Sequence, residues 1–82
     1  MSSPSDVTTG VSALVGRHLR EIRGRRSRSQ EHVAALMSEL GFGWERSTVS
    51  LIERGERRIT VDELAGLVVL LEVRFDDLLP SL

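Results

Sequence analysis

The chain is predicted to fold as an all-α domain of five short helices, and three observations carry that expectation. Apolar residues recur at helical spacing, i, i+3, i+4 and i+7, in successive segments. Polar cap residues precede those segments, and glycine or proline closes them. No stretch shows the apolar–polar alternation that a half-buried strand requires. Eighty-two residues allow one small domain with a modest core. Because the chain contains no cysteine, that core must rest on packing, without disulfides or a thiolate metal site, and the chain suits a reducing compartment. No apolar run approaches the roughly 20 residues a membrane span needs, and nothing resembles a signal peptide, so a soluble intracellular protein is expected.

Residues 1–10 are rich in Ser, Thr, Pro and Gly, with Asp6 as the single charge, and read as a disordered terminal arm. Residues 11–82 are expected to form the domain. Its first helix is placed from Val11 to Arg23, with Val11, Leu14, Val15, Leu19 and Ile22 on one face and Gly24 near its end. His18 lies near that face, with no second histidine or carboxylate at metal spacing, and reads as a packed helix residue. Ser29 caps a second helix in which Glu31 complements the dipole, while Val33, Met37 and Leu40 repeat at i, i+4 and i+7.

Gly41-Phe42-Gly43 breaks the second helix, and Phe42 and Trp44 are expected to plug the core under the turn. A third helix follows, about residues 45–54. Glu45 stands near its N-cap, Trp44 and Val49 have hydrophobic-staple spacing, and Gly55 suits the left-handed residue that closes it. Thr60 and Glu63 make a capping box for a fourth helix buried through Leu64, Leu67, Val68 and Leu71. A last short helix, Phe75 to Leu79, closes before Pro80.

Net charge is −1, yet the charges are segregated. Residues 17–58 hold ten of the eleven basic residues against six acids, and residues 59–82 hold one against five. Such a chain can present a positive face despite a neutral sum. Every basic residue is arginine, which makes bidentate phosphate and guanine contacts available.

The third helix separates two faces. At ~100° per residue, Arg46, Ser47, Ser50 and Arg54 share one sector, Thr48, Val49 and Ile52 lie opposite, and Leu51 stands at the edge. Arginine can bond guanine bidentately, and serine can donate or accept at several base edges. An ordinary amphipathic helix meeting water would show the same polarity, so the flanks decide. Gln30, the first residue of the second helix, combines a side-chain amide with free backbone N–H groups, a combination that suits a phosphate. Arg57 and Arg58 lie just past the third helix, where the chain would run over the opposite strand of a duplex. The expected partner is double-stranded DNA, with the third helix in the major groove.

Leu19-Arg20-Glu21-Ile22-Arg23, Ser29-Gln30-Glu31, Ser47-Thr48-Val49-Ser50-Leu51-Ile52-Glu53-Arg54-Gly55, Val61-Asp62-Glu63-Leu64 and Phe75-Asp76-Asp77-Leu78-Leu79 form an ordered series. Over about residues 14–79 this series resembles the Cro/CI-type (XRE family) helix-turn-helix domain. The resemblance implies a compact five-helix, lambda-repressor-like DNA-binding domain, with helices 2 and 3 as the helix-turn-helix, that binds operator DNA usually as a homodimer. It implies a bacterial or phage-encoded, cytoplasmic, DNA-associated protein. Gln30 takes the position of a phosphate-contacting glutamine, and Arg46, Ser47 and Leu51 fall where that family faces base edges; Ser50 and Arg54 are added from the helical wheel. Arg23 and Glu53 match a partly buried salt bridge that joins helix 1 to helix 3.

The chain departs from the family in a connection before the third helix about five residues longer, through Ser38 to Gly43. Either the second helix gains a turn or the connection becomes a loop. Arg28 replaces a usually apolar residue, and Ser27 a frequent glycine. Leu51 fits a thymine methyl or the core.

Two functions remain in play. One is a small repressor-like transcriptional regulator. The other is an antitoxin-like or other protein-interaction module on the same fold, with the leucine-rich end (Leu70, Leu71, Phe75, Leu78, Leu79, Leu82) as a partner surface, although that end reads more simply as the core of helices 4 and 5 plus a dimer edge. Catalysis is not expected. Two histidines, no cysteine and no phosphate-binding glycine loop after a strand leave little to build a catalytic site from, and no cofactor or metal is called for.

Overall fold

Side chains that take up backbone N–H groups left without helical partners fix where the helices begin. Ser29 Oγ accepts the His32 N–H at 3.0 Å. Thr60 and Glu63 exchange bonds, Oγ1 accepting the Glu63 N–H at 3.0 Å and Oε1 the Thr60 N–H at 2.9 Å. Glu45 is a poor cap by residue type, but its N–H is held by Thr48 Oγ1 at 3.1 Å, three residues on. The computed structural model describes residues 4–79. Its helices are α1 Pro4–Arg25, α2 Gln30–Glu39, α3 Arg46–Glu53, α4 Val61–Leu71 and α5 Phe75–Leu78, with no strand among the described residues.

The expected five-helix order is present, and two boundaries differ from expectation. Helix α1 begins at Pro4 rather than at Val11, so residues 4–10 lie within the helix; residues 1–3 of the expected arm lie outside the described residues. The Ser/Thr/Gly composition hides this extension because it carries no apolar period. Adding turns to a helix already nucleated and packed costs far less than starting one, and proline suits a first helical position. The connection between α2 and α3 is resolved as a loop rather than an added turn. Helix α2 stops at Glu39, Gly41 and Gly43 take φ of +95° and +66°, and Ser38 Oγ donates to the Trp44 carbonyl at 2.8 Å to close the loop. Ser27, where the resembled family often has glycine, adopts the left-handed conformation at φ +52°.

Every helix contributes to one core. Val15, Leu19 and Ile22 come from α1, Val33, Ala34 and Met37 from α2, Val49 and Ile52 from α3, Leu67 and Leu71 from α4, and Leu78 from α5, joined by Trp44. Phe42 packs against this cluster half-buried, so the two aromatics do underlie the turn. Helix α3 touches both α1 and α2, while α4 and α5 complete the far side. His18 is half-buried on α1 and its Nδ1–H donates to the Leu78 carbonyl at 3.0 Å, pinning α5 to α1. Arg26 donates to the carbonyls of Leu71 and Glu72, satisfying acceptors at the end of α4 that helix geometry leaves open.

Helix α1 comes close to α3 at Gly16. A Cβ added there would fall inside the van der Waals envelope of the Ile52 carbonyl, whereas one added at Gly24 would meet nothing within 4 Å. Alanine in a helix gains up to ~1 kcal/mol over glycine when nothing obstructs it. We therefore expect Gly24→Ala to raise stability by up to ~1 kcal/mol. Gly16→Ala should lower it by about 2 kcal/mol through overpacking against α3, both read from urea midpoints at constant m-value.

Candidate nucleic-acid interface

Helix α3 has eight residues, too few to be stable alone, and its orientation is set by what holds each end. At the C-terminal end the Glu53 side chain is 3 % exposed. Arg23 Nε and Nη2 donate to its two carboxylate oxygens at 2.7 and 3.0 Å, and Arg23 Nη1 donates to the Arg28 carbonyl at 3.0 Å. Gln30 Nε2 donates to Glu53 Oε1 at 3.0 Å. The expected Arg23–Glu53 bridge is thus present, and it carries a third member from α2. The hydrogen bond to Glu53 raises the Arg23 pKa above its ordinary value against the opposing effect of burial.

The N-terminal end is held by a cluster the sequence did not disclose. Trp44, the residue before the α3 cap, is buried and donates its indole N–H to Glu63 Oε2 at 2.7 Å. Arg57 meets the same carboxylate with Nη1 and Nη2 at 3.1 and 2.9 Å, and its guanidinium lies 5.8 Å from the Trp44 ring centroid, within cation–π range. Glu63 is 5 % exposed and also accepts the Thr60 N–H. Burial alone would push its carboxyl up, but the bonds from Arg57, Thr60 and Trp44 and the Arg57 charge outweigh that and hold it down at about 2. Arg57, expected from the sequence to meet a phosphate, is paired in the free chain with the buried Glu63 carboxylate at 2.9 Å, and its Nη1 also donates to the Arg58 carbonyl at 2.9 Å.

Between these two anchors the outer face of α3 is open. Arg46, Ser47, Ser50, Leu51 and Arg54 together line one shallow depression, so all five base-reading candidates are brought together. Arg46, Ser47 and Arg54 are exposed, Ser50 and Leu51 half-buried, and Val49 and Ile52 on the opposite side fully buried. Leu51 therefore belongs to the rim of the open face as well as to its packing. Arg54 pairs with Glu56 at 3.1 Å, both exposed, a contact weak enough for a stronger anion to displace.

Gln30 opens α2 beside this face. It spends one amide hydrogen on Glu53 and keeps another donor and its carbonyl. Arg28 and His32 flank the same helix start, with Arg28 Nη1 3.1 Å from His32 Nε2, and they add polar groups there that the sequence reading passed over. Arg58 is exposed beyond α3. No group of three or more His, Cys, Asp or Glu among the described residues is arranged to hold a metal ion, and no described helix is long and apolar enough to cross a membrane.

Comparison with protein-family models matches residues 14–82 to the helix-turn-helix domain. The chain belongs to the helix-turn-helix domain family. The helix-turn-helix fold also appears among solved structures. The restriction-modification controller protein C.AhdI from Aeromonas hydrophila is 31 % identical with TM-score 0.69, over 82 % of this chain and 90 % of that one. The DNA-binding domain of BldD is 33 % identical with TM-score 0.70, over 88 % and 97 %. The S. venezulae BldD DNA-binding domain is 33 % identical with TM-score 0.68, over 87 % and 99 %. A comparison with curated proteins gave no match. The five-helix order, with α2 and α3 as the helix-turn-helix, is the one the ordered series implied.

The Glu63 cluster gives this helix-turn-helix domain a defined acid sensitivity. A carboxyl at about 2 when folded and 4.5 ordinarily contributes stability that is fully present above about pH 5 and lost as pH falls toward about 2. The difference corresponds to about 3 kcal/mol. In urea unfolding, wild type should exceed Glu63→Gln by roughly that amount near neutrality, and the advantage should vanish near pH 2.

Proposed function

We propose that this chain is a sequence-specific double-stranded DNA-binding regulator that lays α3 in the major groove. The observation that carries the reading is the open face of α3. Its five candidate side chains line one depression, while the helix is tied down at both ends by buried carboxylates. A helix held this way keeps its polar face free for a partner, and arginine with serine is chemistry suited to base edges. Arg46, Ser47, Ser50, Leu51 and Arg54 are assigned to bases; Gln30, with the N–H groups at the start of α2, and Arg58 are assigned to phosphates. The names of the similar structures, a restriction-modification controller and the DNA-binding domain of BldD, support the same class of function and a bacterial or phage setting.

Operator binding by a homodimer fits this reading, since two-fold protein symmetry would match two half-sites. Val61 and Val69 on α4 and Phe75 on α5 are 79, 69 and 45 % exposed, and large apolar side chains left in solvent favour an interface. The same observation is what favours the second reading, an antitoxin-like module that uses this region for an unrelated chain. Stoichiometry on a bound duplex separates them. Two copies per duplex support the homodimer, and a co-purifying second polypeptide supports the module.

Duplexes selected from a random pool give the direct test. Arg46→Ala should relax base preference at one position, at a loss of ~1–3 kcal/mol. Arg58→Ala should weaken all duplexes alike and flatten the salt slope by about one. Wild-type protein that shows no salt-dependent duplex binding in a gel shift overturns the reading.

A further inference from the structure

The charged cluster at Glu63 does more than cap α4. The residue before the α3 cap (Trp44) and a residue beyond the helix end (Arg57) converge on one carboxylate that belongs to α4. The entry and exit of α3 are thereby referred to a single point on a different element. The polar atoms of this node are fully partnered: no buried side-chain N or O among the described residues lacks a hydrogen bond. A fully partnered ionic node in a low-dielectric setting has one good geometry, and displacing any member leaves charge or donors uncompensated.

Apart from the node, the start of α3 is held by the Glu45–Thr48 capping box and by Ser38 Oγ donating to the Trp44 carbonyl, neither of which reaches α4. The Arg23–Glu53–Gln30 cluster acts at the far end, and the Gly16 approach to Ile52 fixes the same far end. Arg46 and Ser47 follow Trp44 by two and three residues, so a tilt at the start of α3 moves them most and Arg54 least.

We propose that Glu63 is a positioning residue for base selection: through Trp44 and Arg57 its carboxylate sets the tilt of α3, and hence where Arg46 and Ser47 meet the bases. Glu63 itself faces the interior and touches no DNA. This inference rests on the DNA-binding reading above, and it separates selectivity from affinity. Loosening the node blurs discrimination between base pairs, while the phosphate contact from Gln30, carried by α2, persists. In Glu63→Gln the freed Arg57 adds a cation near the backbone, so non-specific binding holds or tightens as selectivity falls. Simple loss of folded protein would weaken both together.

The test compares wild type, Glu63→Gln and Trp44→Phe, each at a temperature where circular dichroism shows the folded state. Dissociation constants are measured for the selected duplex, for its single-base variants and for a scrambled duplex. Trp44→Phe removes the indole donor without altering charge and remains informative if Glu63→Gln fails to fold. The ratio of scrambled to selected dissociation constants should fall at least about fivefold in each folded variant, with binding to the scrambled duplex unchanged or tighter. The loss should fall on the base pairs that Arg46→Ala also relaxes, and the Glu63→Gln/Arg46→Ala double variant should be non-additive there. A smaller loss in a folded variant, or equal weakening on every duplex, overturns the inference. If wild type itself fails to discriminate duplexes, it is the DNA-binding reading that fails.

Discussion

A two-turn helix cannot hold its own direction, and the whole outer surface of this domain depends on how α3 is braced. Its inner face supplies only two fully buried side chains, Val49 and Ile52, which anchor it without fixing its tilt. Direction comes from two buried carboxylates. Glu53, in the helix itself, receives Arg23 from α1 and Gln30 from α2. Glu63, on α4, receives the residue ahead of the helix and one beyond it. Burying a carboxylate is expensive, and removing its partner more so, so each node has a single favourable arrangement. That rigidity is what lets Arg46 and Ser47 stand open to solvent without the helix moving.

The arginines divide into two populations with different physical roles. Arg23 and Arg57 turn onto the buried carboxylates of Glu53 and Glu63, and Arg26 reaches the carbonyls at the end of α4. Arg46, Arg54 and Arg58 are exposed around α3. The second group is available around α3 to an incoming polyanion, on a chain whose formal net charge is −1. The acids gathered after residue 59 fall on α4, α5 and the turn between them, so the basic side survives the neutral sum as a local field. Because this face and not net charge would drive association, its effect should be strongly screened by salt.

The sequence made the fold legible wherever apolar period and cap chemistry agreed. Val33 and Met37, Val49 and Ile52, Leu67 and Leu71 all face inward as their spacing requires, and Ser29, Thr60 and Gly55 mark boundaries where they were expected. The start of α1 was not legible, because residues 4–10 have neither apolar period nor strong helix formers and follow from extension of a helix packed elsewhere. The open face of α3 was readable from the helical wheel. The fate of Arg57 was not: adjacent arginines look equivalent in a string, and only the approach of α4 distinguishes Arg57, turned onto Glu63, from Arg58, left in solvent. Glu63 was visible as the third member of a capping box but not as an ionic hub, since local cap geometry says nothing of partners 19 and 6 residues away. Partner choice across the core belongs to tertiary structure.

The claim that α3 reads DNA while buried carboxylates hold it is tested most directly by mapping shifts of backbone and arginine side-chain resonances as a selected duplex is added to labelled protein. The account predicts the largest changes at Arg46, Ser47, Ser50, Leu51 and Arg54, further changes at Gln30 and Arg58, and an Arg57 guanidinium and Trp44 indole that keep their free-state shifts. Changes centred on Val69 and Phe75 with α3 unmoved, or an Arg57 that leaves Glu63 for the duplex, would contradict it.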